Sequence, residues 1–273
     1  MKLMVIDGNS IINRSFYGVR PLTTRTGLPT NAVYGFVTTL LRLLEEEAPQ
    51  ALCVTFDRRE PTFRHQADAA YKAQRKGMPE ELAAQLPVLK DVLDAMDIPR
   101  YELAGYEADD LIGTISRKCE AAGWDCVVVT GDKDSLQLIT ERTRVKLVST
   151  RMGQTTTRDM TPESFRKAYG FDPIHMIDLK ALMGDASDNI PGVPGVGEKT
   201  AMDLVQKYQT VDAIYAAMPE LDAKPAVIRK LTEGEASARH SYWLATIVTD
   251  APLDFVPAEN LRRPAKPALH DLF

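Results

Sequence analysis

The stretch Gly105–Leu138 constrains the fold of this chain most strongly, because it places acidic residues at two turns joined by a helix-like segment. Five carboxylates stand there: Glu107, Asp109 and Asp110 at the first turn, and Asp132 and Asp134 at the second. An apolar strand candidate, Cys126–Val129, leads directly into the second turn. Carboxylates held close together repel one another, and a bound cation is the usual compensation. The stretch therefore predicts a cation site if the fold brings both turns together.

Apolar strand candidates alternate with amphipathic helix candidates in the N-terminal part of the chain. The strand candidates are Leu3–Ile6, Ala51–Phe56, Arg100–Leu103, Cys126–Val129 and Arg144–Val148, and the helix candidates are Asn31–Glu46, Glu80–Met96 and Ala108–Ala121. This alternation predicts an α/β fold with a doubly wound, mostly parallel sheet that has helices on both faces. Pro87 lies inside the second helix candidate, and we expect it to kink or restart that helix.

Acidic residues stand at the carboxyl ends of three of the strand candidates. Asp7 begins a turn-like Asp-Gly-Asn-Ser segment, Asp57 follows the second strand candidate, and Asp132 follows the fourth. Each one alone reads equally well as a solvated turn residue, since Asp is common in turns. Ligands of parallel sheets bind outside the carboxyl ends of the strands. Three acids delivered to one edge of the sheet therefore favour a shared site.

After Val148 the chain changes to a polar hairpin or loop at Arg151–Thr157 and then to short helices. The helix candidates are Pro162–Tyr169, Pro173–Met183, Lys199–Tyr208, Val211–Ala217 and Pro225–Ala245. Asp185 and Asp188 are three residues apart, so a helical turn would place both on one face. We expect them to join the acidic site.

The candidate site then has nine acids and no His or Cys ligand. They are Asp7, Asp57, Glu107, Asp109, Asp110, Asp132, Asp134, Asp185 and Asp188. Oxygen ligands alone suit the hard cations Mg²⁺ or Mn²⁺ better than zinc. Mg²⁺ binds through few carboxylates, so nine acids indicate two or more ions. Two ions roughly 3.5–4 Å apart suit in-line displacement at a phosphodiester.

The net charge of −5 argues at first against a nucleic-acid partner. Without the nine acids it becomes +4, so a metal-loaded protein has a mildly basic remaining surface. Basic residues concentrate near Asp57, interleaved with Phe63 and Tyr71: Arg58, Arg59, Arg64, Lys72, Arg75 and Lys76. This pattern suits phosphate contact with base stacking. The alternative is a solvated basic helix face.

The Gly-rich segment Gly192–Thr200 superficially resembles a phosphate-binding loop. That pattern fails, because Glu198 occupies the place of the lysine and no strand precedes the segment. We interpret it as a hairpin between two helices whose backbone amides, with the N-terminus of the next helix, face a phosphate. Lys199 would add a charge-assisted contact. The alternative is a tight interhelical turn without a ligand.

Composition places the chain among ordinary globular proteins. Its 273 residues are 44% hydrophobic, and the three cysteines form no CxxC pair, which indicates buried thiols in a reducing compartment. No signal peptide or apolar run of membrane-spanning length is visible. We therefore expect a soluble, cytoplasmic and monomeric protein.

The chain resembles the 5′-nuclease (flap endonuclease) family, most closely the N-terminal 5′→3′ exonuclease domain of bacterial DNA polymerase I. The segments that carry the resemblance run in family order: Val5–Ser10, Gly27–Thr30 with Tyr34-Gly35, Phe56-Asp57, Pro61–His65, Tyr71-Lys72 with Arg75, Tyr106–Asp110, Thr130–Leu138 and Gly184–Ala201. The sequences Tyr-Glu-Ala-Asp-Asp, Gly-Asp-Lys-Asp and Gly-Asp-Ala-Ser-Asp-Asn-Ile-Pro-Gly-Val are highly specific together.

The resemblance implies a PIN-like nuclease that cleaves DNA at or near 5′ ends, including 5′ flaps, by a two-metal-ion mechanism. It also implies a role in replication and repair, in Okazaki fragment or primer processing, where RNA primer ends are further substrates. All nine acids become metal-site residues. Asp7, Asp57, Glu107, Asp109 and Asp132 match the inner set, and Asp134, Asp185 and Asp188 match the second-ion set.

The resemblance further implies a division into a nuclease core, residues 1–184, and a helical DNA-binding region, residues 185–273. In the core, a helical arch at about 61–96 places Tyr71, Lys72 and Arg75 over the site, where the two cations steer or polarise the phosphate. The helix–two-turn–helix element at about 185–208 is implied to hold duplex DNA through residues of its hairpin, and often K⁺ on backbone carbonyls. The hairpin residues are Gly192, Val193, Gly195, Gly197, Lys199 and Thr200.

Two features depart from the family pattern. Arg58-Arg59-Glu60 replaces a less charged stretch, and the sequence ends where relatives continue into a second domain, so it matches either an excised domain normally fused to a polymerase or a stand-alone nuclease. No polymerase sequence is present, and no polymerase activity is expected. A non-catalytic, structure-specific DNA-binding module and a related acid-site ribonuclease are the alternative functions. The sequence leaves open the preference between exonuclease and endonuclease cleavage.

Overall fold

A single six-stranded sheet forms the centre of the molecule in the computed structural model, which describes residues 1–151, 154–267 and 269. The strands are β1 (Lys2–Asp7), β2 (Ala51–Thr55), β3 (Arg100–Tyr101), β4 (Asp125–Thr130), β5 (Thr143–Arg151) and β6 (Gln154–Met160). Their order is β3-β2-β1-β4-β5-β6, and every neighbouring pair is parallel except β5 and β6. The prediction of a mostly parallel sheet is confirmed.

Helices cover both faces of this sheet. In chain order they are α1 (Gly8–Gly18), α2 (Asn31–Glu47), α3 (Phe63–Ala67), α4 (Glu80–Ala95), α5 (Ala108–Ala121), α6 (Pro162–Tyr169), α7 (Met176–Met183), α8 (Glu198–Tyr208), α9 (Val211–Ala216) and α10 (Pro225–Ala245). The interpretation of Asp7–Ser10 as a turn is wrong, because α1 begins at Gly8. Asp7 is its N-cap, and the Asp7 carboxylate accepts a hydrogen bond from the backbone N–H of Ser10 at 2.9 Å.

The alternation of side chains along β1 divides the core into two layers. Leu3 and Val5 pack with Ile112 of α5, whereas Met4 and Ile6 pack with helices α1, α2 and α4 on the opposite face. All four β1 side chains are buried, as expected for a central strand of a parallel sheet. The apolar side chains of α7, α8 and α10 join the α5 layer, so the C-terminal helices share its hydrophobic core.

Helix α4 continues through Pro87, so the expected restart at this proline is wrong. A proline inside a helix removes one backbone hydrogen bond. Leu82 before the proline and Leu89 and Leu93 after it are all fully buried in the layer that contains α2. This continuous buried stripe offsets the missing bond.

The polar segment Arg151–Thr157 is a hairpin connection, as one of the two sequence interpretations had it. Arg151 pairs with Gln154 in the antiparallel β5–β6 ladder, and residues 152 and 153 between them lie outside the described residues. Asp185 and Asp188 lie in a turn closed by a bridge between Asp185 and Ile190, and not in the helical turn that their spacing suggested.

The remaining fold-level expectations concern cysteines and membrane spans. Cys53, Cys119 and Cys126 are buried free thiols, as predicted. Within the part of the chain that the structure describes, no helix combines the length and the apolar character needed to cross a membrane.

Candidate active site

A cleft of about 640 Å³ opens at the carboxyl ends of the central strands. Asp7 ends β1, Asp57 follows β2 and Asp132 follows β4, and these three strands are neighbours in the sheet. Glu107 and Asp109 reach the same cleft from the start of α5. The structure thus brings together the five acids that matched the inner set.

Local hydrogen bonds fix three of these carboxylates in place. Asp7 accepts from the Thr130 hydroxyl at 2.7 Å, in addition to its bond from Ser10. Asp57 accepts from the backbone N–H of Ala108 at 2.7 Å, at the first turn of α5. Asp132 caps the 3₁₀ turn Lys133–Leu138 by accepting from the N–H of Asp134 at 2.9 Å. These hydrogen bonds therefore hold the carboxylates of Asp7, Asp57 and Asp132 in place at the shared cleft.

The crowded carboxylates disfavour their own ionisation. Burial is the largest cause that raises the pKa of Asp7 to about 7, and the neighbouring carboxylates of Asp57 and Asp132 contribute in the same direction. Burial, together with the charges of Asp7 and Asp132, also raises the pKa of Asp109 well above its ordinary value. A positive charge in the cleft would favour the ionised forms of all these groups.

Asp109 provides the most direct test of whether the cleft suits a cation. Its Oδ1 atom is buried and has no hydrogen-bond partner, which is costly for a carboxylate oxygen. The donors around it are carboxylate oxygens, the ligand type that hard divalent cations prefer. The chemistry of the donor set therefore fits Mg²⁺ or Mn²⁺. As the described side chains stand, no group of three or more His, Cys, Asp or Glu residues is positioned to hold a metal ion.

Cationic side chains of the protein stand between the acids instead. Lys72 donates to Glu107 Oε1 at 2.7 Å and lies 3.8 Å from Asp188 Oδ2, and Arg75 pairs with Asp188. Burial lowers the pKa of Lys72, but Glu107 and Asp188 outweigh it and raise the pKa above its ordinary value. Both expected arch cations are therefore at the site, bonded to its carboxylates.

Lys180 was missed by the sequence interpretation. Its ammonium lies between Asp134, with which it pairs, and Asp185 Oδ2, at 2.6 Å. Burial raises the pKa of Asp185, but Lys180 and Ser187 outweigh it and hold this pKa at about 2. Asp134 differs: burial and the charge of Asp132 raise its pKa to about 7 despite Lys180. Lys180 thus joins the two acid groups that the sequence assigned to a second ion.

Asp110, the ninth predicted site acid, is engaged away from the cleft in this structure. Its Oδ1 accepts from Arg64 and from the N–H of Val248, and its Oδ2 accepts from Arg64 and from the N–H of Glu107. Asp110 is fully buried, and Arg64 is 2% exposed. The expected phosphate contact of Arg64 is therefore wrong, because this arginine is buried and donates to Glu107 and Asp110.

Tyr71 is likewise buried, at 4% exposure, and its hydroxyl donates to Glu107 Oε2 at 3.0 Å. Its ring is not accessible for the base stacking that the sequence suggested. The segment between α3 and α4 that carries Tyr71, Lys72 and Arg75 instead packs against the turn at Asp188 and Asn189, with the N–H of Lys72 donating to the Asp188 carbonyl at 2.9 Å.

The predicted hairpin at Gly192–Thr200 connects α7 to α8, and its last three residues already belong to the first turn of α8. Its exposed residues include Gly195, Gly197 and Lys199, and Gly197 is the N-cap of α8. Gly192 and Val193 are buried, and their N–H groups donate to Ser241 Oγ and to the Leu182 carbonyl. These two amides are thus unavailable to a phosphate. The residues that remain candidates for DNA contact are Gly195, Gly197, Lys199 and the half-buried Thr200.

Additional cleft residues come from α1, the helix that the sequence interpretation did not find. Asn13, Arg14 and Tyr17 line the cleft, and the Arg14 guanidinium donates to the Gly131 carbonyl. Tyr17 is 71% exposed. The signal was present in the Asp7 N-cap and in the apolar pair Ile11 and Ile12 one turn later.

Carboxylates at the carboxyl edge of a parallel sheet, beside a helical hairpin with an exposed basic tip, define a nuclease of the acidic-site class. The model of the 5′-3′ exonuclease N-terminal resolvase-like domain matches residues 2–170, and that of the 5′-3′ exonuclease C-terminal SAM fold matches residues 171–268. The chain belongs to the 5′-3′ exonuclease family. Metal dependence is implied by this family, and the predicted fold class and nuclease activity are confirmed.

Several bacterial proteins are similar over nearly the whole chain. DNA polymerase I of Bacillus subtilis (strain 168) is 45% identical over 253 residues, which are 93% of this chain and 28% of that protein. DNA polymerase I of Caldicellulosiruptor bescii is 44% identical over 262 residues, which are 96% of this chain and 30% of that protein. The chain thus spans less than a third of the length of these relatives.

Solved structures share the fold at lower identity. A T5 5′-exonuclease with bound zinc ions has a TM-score of 0.73 at 24% identity, covering 91% of this chain and 90% of that one. The catalytic core of Rad2 in complex with a DNA substrate has a TM-score of 0.62 at 15% identity, covering 99% and 86%. These likenesses show the fold alone.

Proposed function

We propose that this chain hydrolyses DNA phosphodiesters at or near 5′ ends and at 5′ flaps, with two or more Mg²⁺ or Mn²⁺ ions in the acidic cleft. The observation that carries this proposal is the convergence of Asp7, Asp57, Glu107, Asp109 and Asp132 at one edge of the sheet, around a buried oxygen that has no partner.

The acids divide into two groups in this mechanism. The inner group of five would hold one ion, and Asp134, Asp185 and Asp188 would hold the second. Lys180 links Asp134 to Asp185, and Asp188 pairs with Arg75. When bound, such ions stabilise the developing oxyanions and make an attacking water more acidic. Asp110 would support the cleft without binding metal, because it is fully buried and, unlike Glu107, does not line the cleft.

Lys72 and Arg75 change partners in the proposed reaction. With their charge compensated by bound metal, Glu107 and Asp188 would release Lys72 and Arg75, which would then be free to contact the scissile phosphate. Arg75 is the more exposed of the two, with 49% of its side chain accessible, so it is suited to meet the DNA first. In the metal-free protein the same two cations limit the repulsion among the acids.

Duplex DNA is proposed to bind at the hairpin. The exposed backbone at Gly195 and Gly197, the N-terminus of α8, and the side chains of Lys199 and Thr200 form one surface that suits a phosphate. The relatives named DNA polymerase I carry the similar residues within a longer chain. This supports a role in removing 5′ flaps and primer ends during replication and repair, next to a polymerase.

A flap-cleavage assay tests the proposal directly. A 5′-labelled DNA flap substrate is incubated with the full chain in Mg²⁺, in Mn²⁺ and in excess EDTA, and a flap with an RNA 5′ segment forms a parallel arm. We expect cleavage near the flap junction with either ion and none in EDTA. Binding without cleavage under all conditions would support a DNA-binding module instead, and cleavage restricted to RNA would support a ribonuclease.

A further inference from the structure

One face of α10 lies directly against the hairpin. Lys230 Nζ donates to the Gly195 carbonyl at 2.8 Å, Ser237 Oγ donates to the Gly192 carbonyl at 2.6 Å, and Ser241 Oγ accepts from the Gly192 N–H at 2.9 Å. These three α10 residues recur at a spacing that places them on one side of the helix. Helix α10 therefore holds the hairpin at both its base and its tip.

The contact at the tip is especially close. Gly195 has a φ of +81°, and a Cβ atom at this position would lie 2.9 Å from the Cε and Nζ atoms of Lys230. The lysine is half-buried, whereas Gly195 is exposed. An ammonium carries three N–H donors, and the bond to Gly195 uses one of them. The other donors stand at the exposed tip of the proposed DNA-binding surface.

We propose that the Lys230 ammonium supplies the positive charge at the hairpin: it fixes the Gly195 carbonyl and donates to a phosphate of duplex DNA. This inference rests on the proposed DNA-cleaving function, and it adds a residue that neither the motif nor its spacing indicated. The positive charge belongs to the protein, so duplex binding at this hairpin does not require a monovalent metal ion.

The backbone carbonyls do not fit the K⁺ ion that the family resemblance implies. The Gly195 carbonyl accepts from an ammonium, the Gly192 carbonyl from Ser237 and the Val193 carbonyl from the N–H of Val196 at 3.0 Å. A K⁺ ion at the tip would lie close to the fixed positive charge of Lys230 and be repelled by it. The lysine and the ion are therefore alternatives at this place.

Duplex affinity in matched salts tests the inference without requiring catalysis. A fluorescent DNA duplex is titrated with the full chain in EDTA, in KCl and in tetramethylammonium chloride at equal ionic strength, and anisotropy reports the dissociation constant. We expect wild-type affinities in the two salts to agree within about twofold. A wild-type affinity more than about fivefold higher in KCl would overturn the proposal.

Matched variants test the role of the charge. We expect Lys230→Ala to weaken binding about tenfold in tetramethylammonium chloride, and Lys230→Arg to restore most of the loss. Lys224→Ala, which removes an exposed lysine at the N-cap of the same helix, should weaken binding by less than about threefold. Equal effects of Lys230→Ala and Lys224→Ala would refute the proposal. Circular dichroism melting identifies any folding defect, and the wild-type salt comparison stands even if a variant unfolds.

The flap assay separates this inference from the function on which it rests. Absence of flap cleavage by the wild type, with duplex binding intact and independent of K⁺, would contradict the nuclease proposal and leave Lys230 supported. Flap cleavage together with K⁺-dependent duplex binding would support the nuclease proposal and contradict the role of Lys230.

Discussion

Lys72 Nζ lies 2.7 Å from Glu107 Oε1, so a cation from the segment before α4 is bonded to the residue that caps α5. Arg64 Nη1 donates to the other oxygen of Glu107 at 3.1 Å. One buried carboxylate is thus held by two cations of different kinds. Arg64 is buried in the interior, whereas Lys72 lines the cleft, and we propose that it exchanges Glu107 for a substrate phosphate.

Replacing Lys72 by Met should therefore destabilise the metal-free protein. Breaking a buried pair leaves Glu107 less well compensated and costs about 3 kcal/mol, or roughly 6 °C in Tm. Mg²⁺ should recover much of this loss, because it supplies the missing positive charge. Differential scanning fluorimetry in EDTA and in Mg²⁺ measures both effects. Lys76→Met, which changes an exposed lysine of the same segment, is the control, and an equal Tm for Lys72→Met and wild type in EDTA would contradict the prediction.

Asp132→Asn should abolish cleavage while DNA binding survives. The substitution keeps the shape of the side chain but removes a charge at the centre of the cleft, and the hairpin surface is untouched. Loss of metal-ion stabilisation worth several kcal/mol corresponds to a rate at least about 100-fold lower. Single-turnover cleavage of a 5′ flap and anisotropy with the same DNA are the measurements. Lost binding combined with full cleavage of the bound fraction would refute this role.

Asp109→Asn should raise the stability of the metal-free protein and remove cleavage. The buried Oδ1 atom has no partner, and Asp7 and Asp132 disfavour its charge. A neutral amide relieves that repulsion, and we expect a gain of about 1 kcal/mol in the free energy of unfolding in EDTA. Urea denaturation with and without Mg²⁺ shows whether the variant also loses part of the stabilisation by the ion. A less stable variant in EDTA would argue against a strained carboxylate.

Asp110→Asn, at the neighbouring residue, is the matched comparison. It should lower the free energy of unfolding in EDTA, whereas Asp109→Asn should raise it. Asp110 is fully buried and bonded to Arg64 through both oxygens, at 2.8 and 2.9 Å. Removing its charge leaves a buried guanidinium incompletely paired, which costs about 3–5 kcal/mol. Similar stability changes for the two variants would mean that the division between a metal-binding and a supporting acid is incorrect.

Glu47, which does not line the cleft, should make the free energy of unfolding depend on pH. It is 5% exposed, accepts from Lys146 Nζ at 2.9 Å and pairs with Arg144. Burial raises the pKa of Glu47, but bonds from Lys146 and Arg144 outweigh it, so this pKa lies below its ordinary value of 4.5. A depressed acid pKa contributes stability that is complete above the unfolded-state pKa and is lost as pH falls through the folded-state pKa.

Glu47→Gln should therefore lower the free energy of unfolding at neutral pH by about 3 kcal/mol. The difference from wild type should shrink once the pH falls below 4.5, because the wild-type carboxylate then becomes protonated too. Urea denaturation series at about pH 7, 5, 4 and 3 measure this. A difference that stays constant across the series would show that the ion pairs around Glu47 contribute nothing.

Lys199→Ala should weaken duplex binding and reduce its dependence on salt. Each phosphate contact by a cation releases counterions, so the slope of log K against log salt should become shallower by about 0.9. Titrations at several KCl concentrations give the slope. Lys207→Ala is a suitable control, because Lys207 lies at the far end of the same helix and pairs with Asp222. An unchanged slope for Lys199→Ala would exclude the phosphate contact.

The sequence predicted the positions of the strand-end acids because two simple regularities coincide there. Buried parallel strands read as apolar runs, and Asp7, Asp57 and Asp132 stand at the carboxyl ends of such runs. Parallel pairing then places all three at one edge whatever the details of packing. Their convergence therefore follows from topology, which local sequence patterns indicate well.

Roles that depend on the exact rotation of a helix were not predictable in the same way. Asp109 and Asp110 are chemically identical neighbours, yet the start of α5 directs one into the cleft and the other toward Arg64. Lys180 was overlooked because it sits in an apolar run, where a charged residue has meaning only if its partners are known. Asp134 and Asp185 are 46 and 5 residues away from it in the sequence.

The wide separation of the acids along the chain also determines when the proposed nuclease site is complete during synthesis of the protein. Asp7 lies on the first strand, whereas Asp185 and Asp188 emerge only after the whole sheet has been translated. At typical rates of about 5–20 residues per second, roughly 10–40 s pass between these events. The proposed cutting centre therefore stays incomplete while residues 8–184 are being made, and nuclease activity is expected only after all six strands have been synthesised.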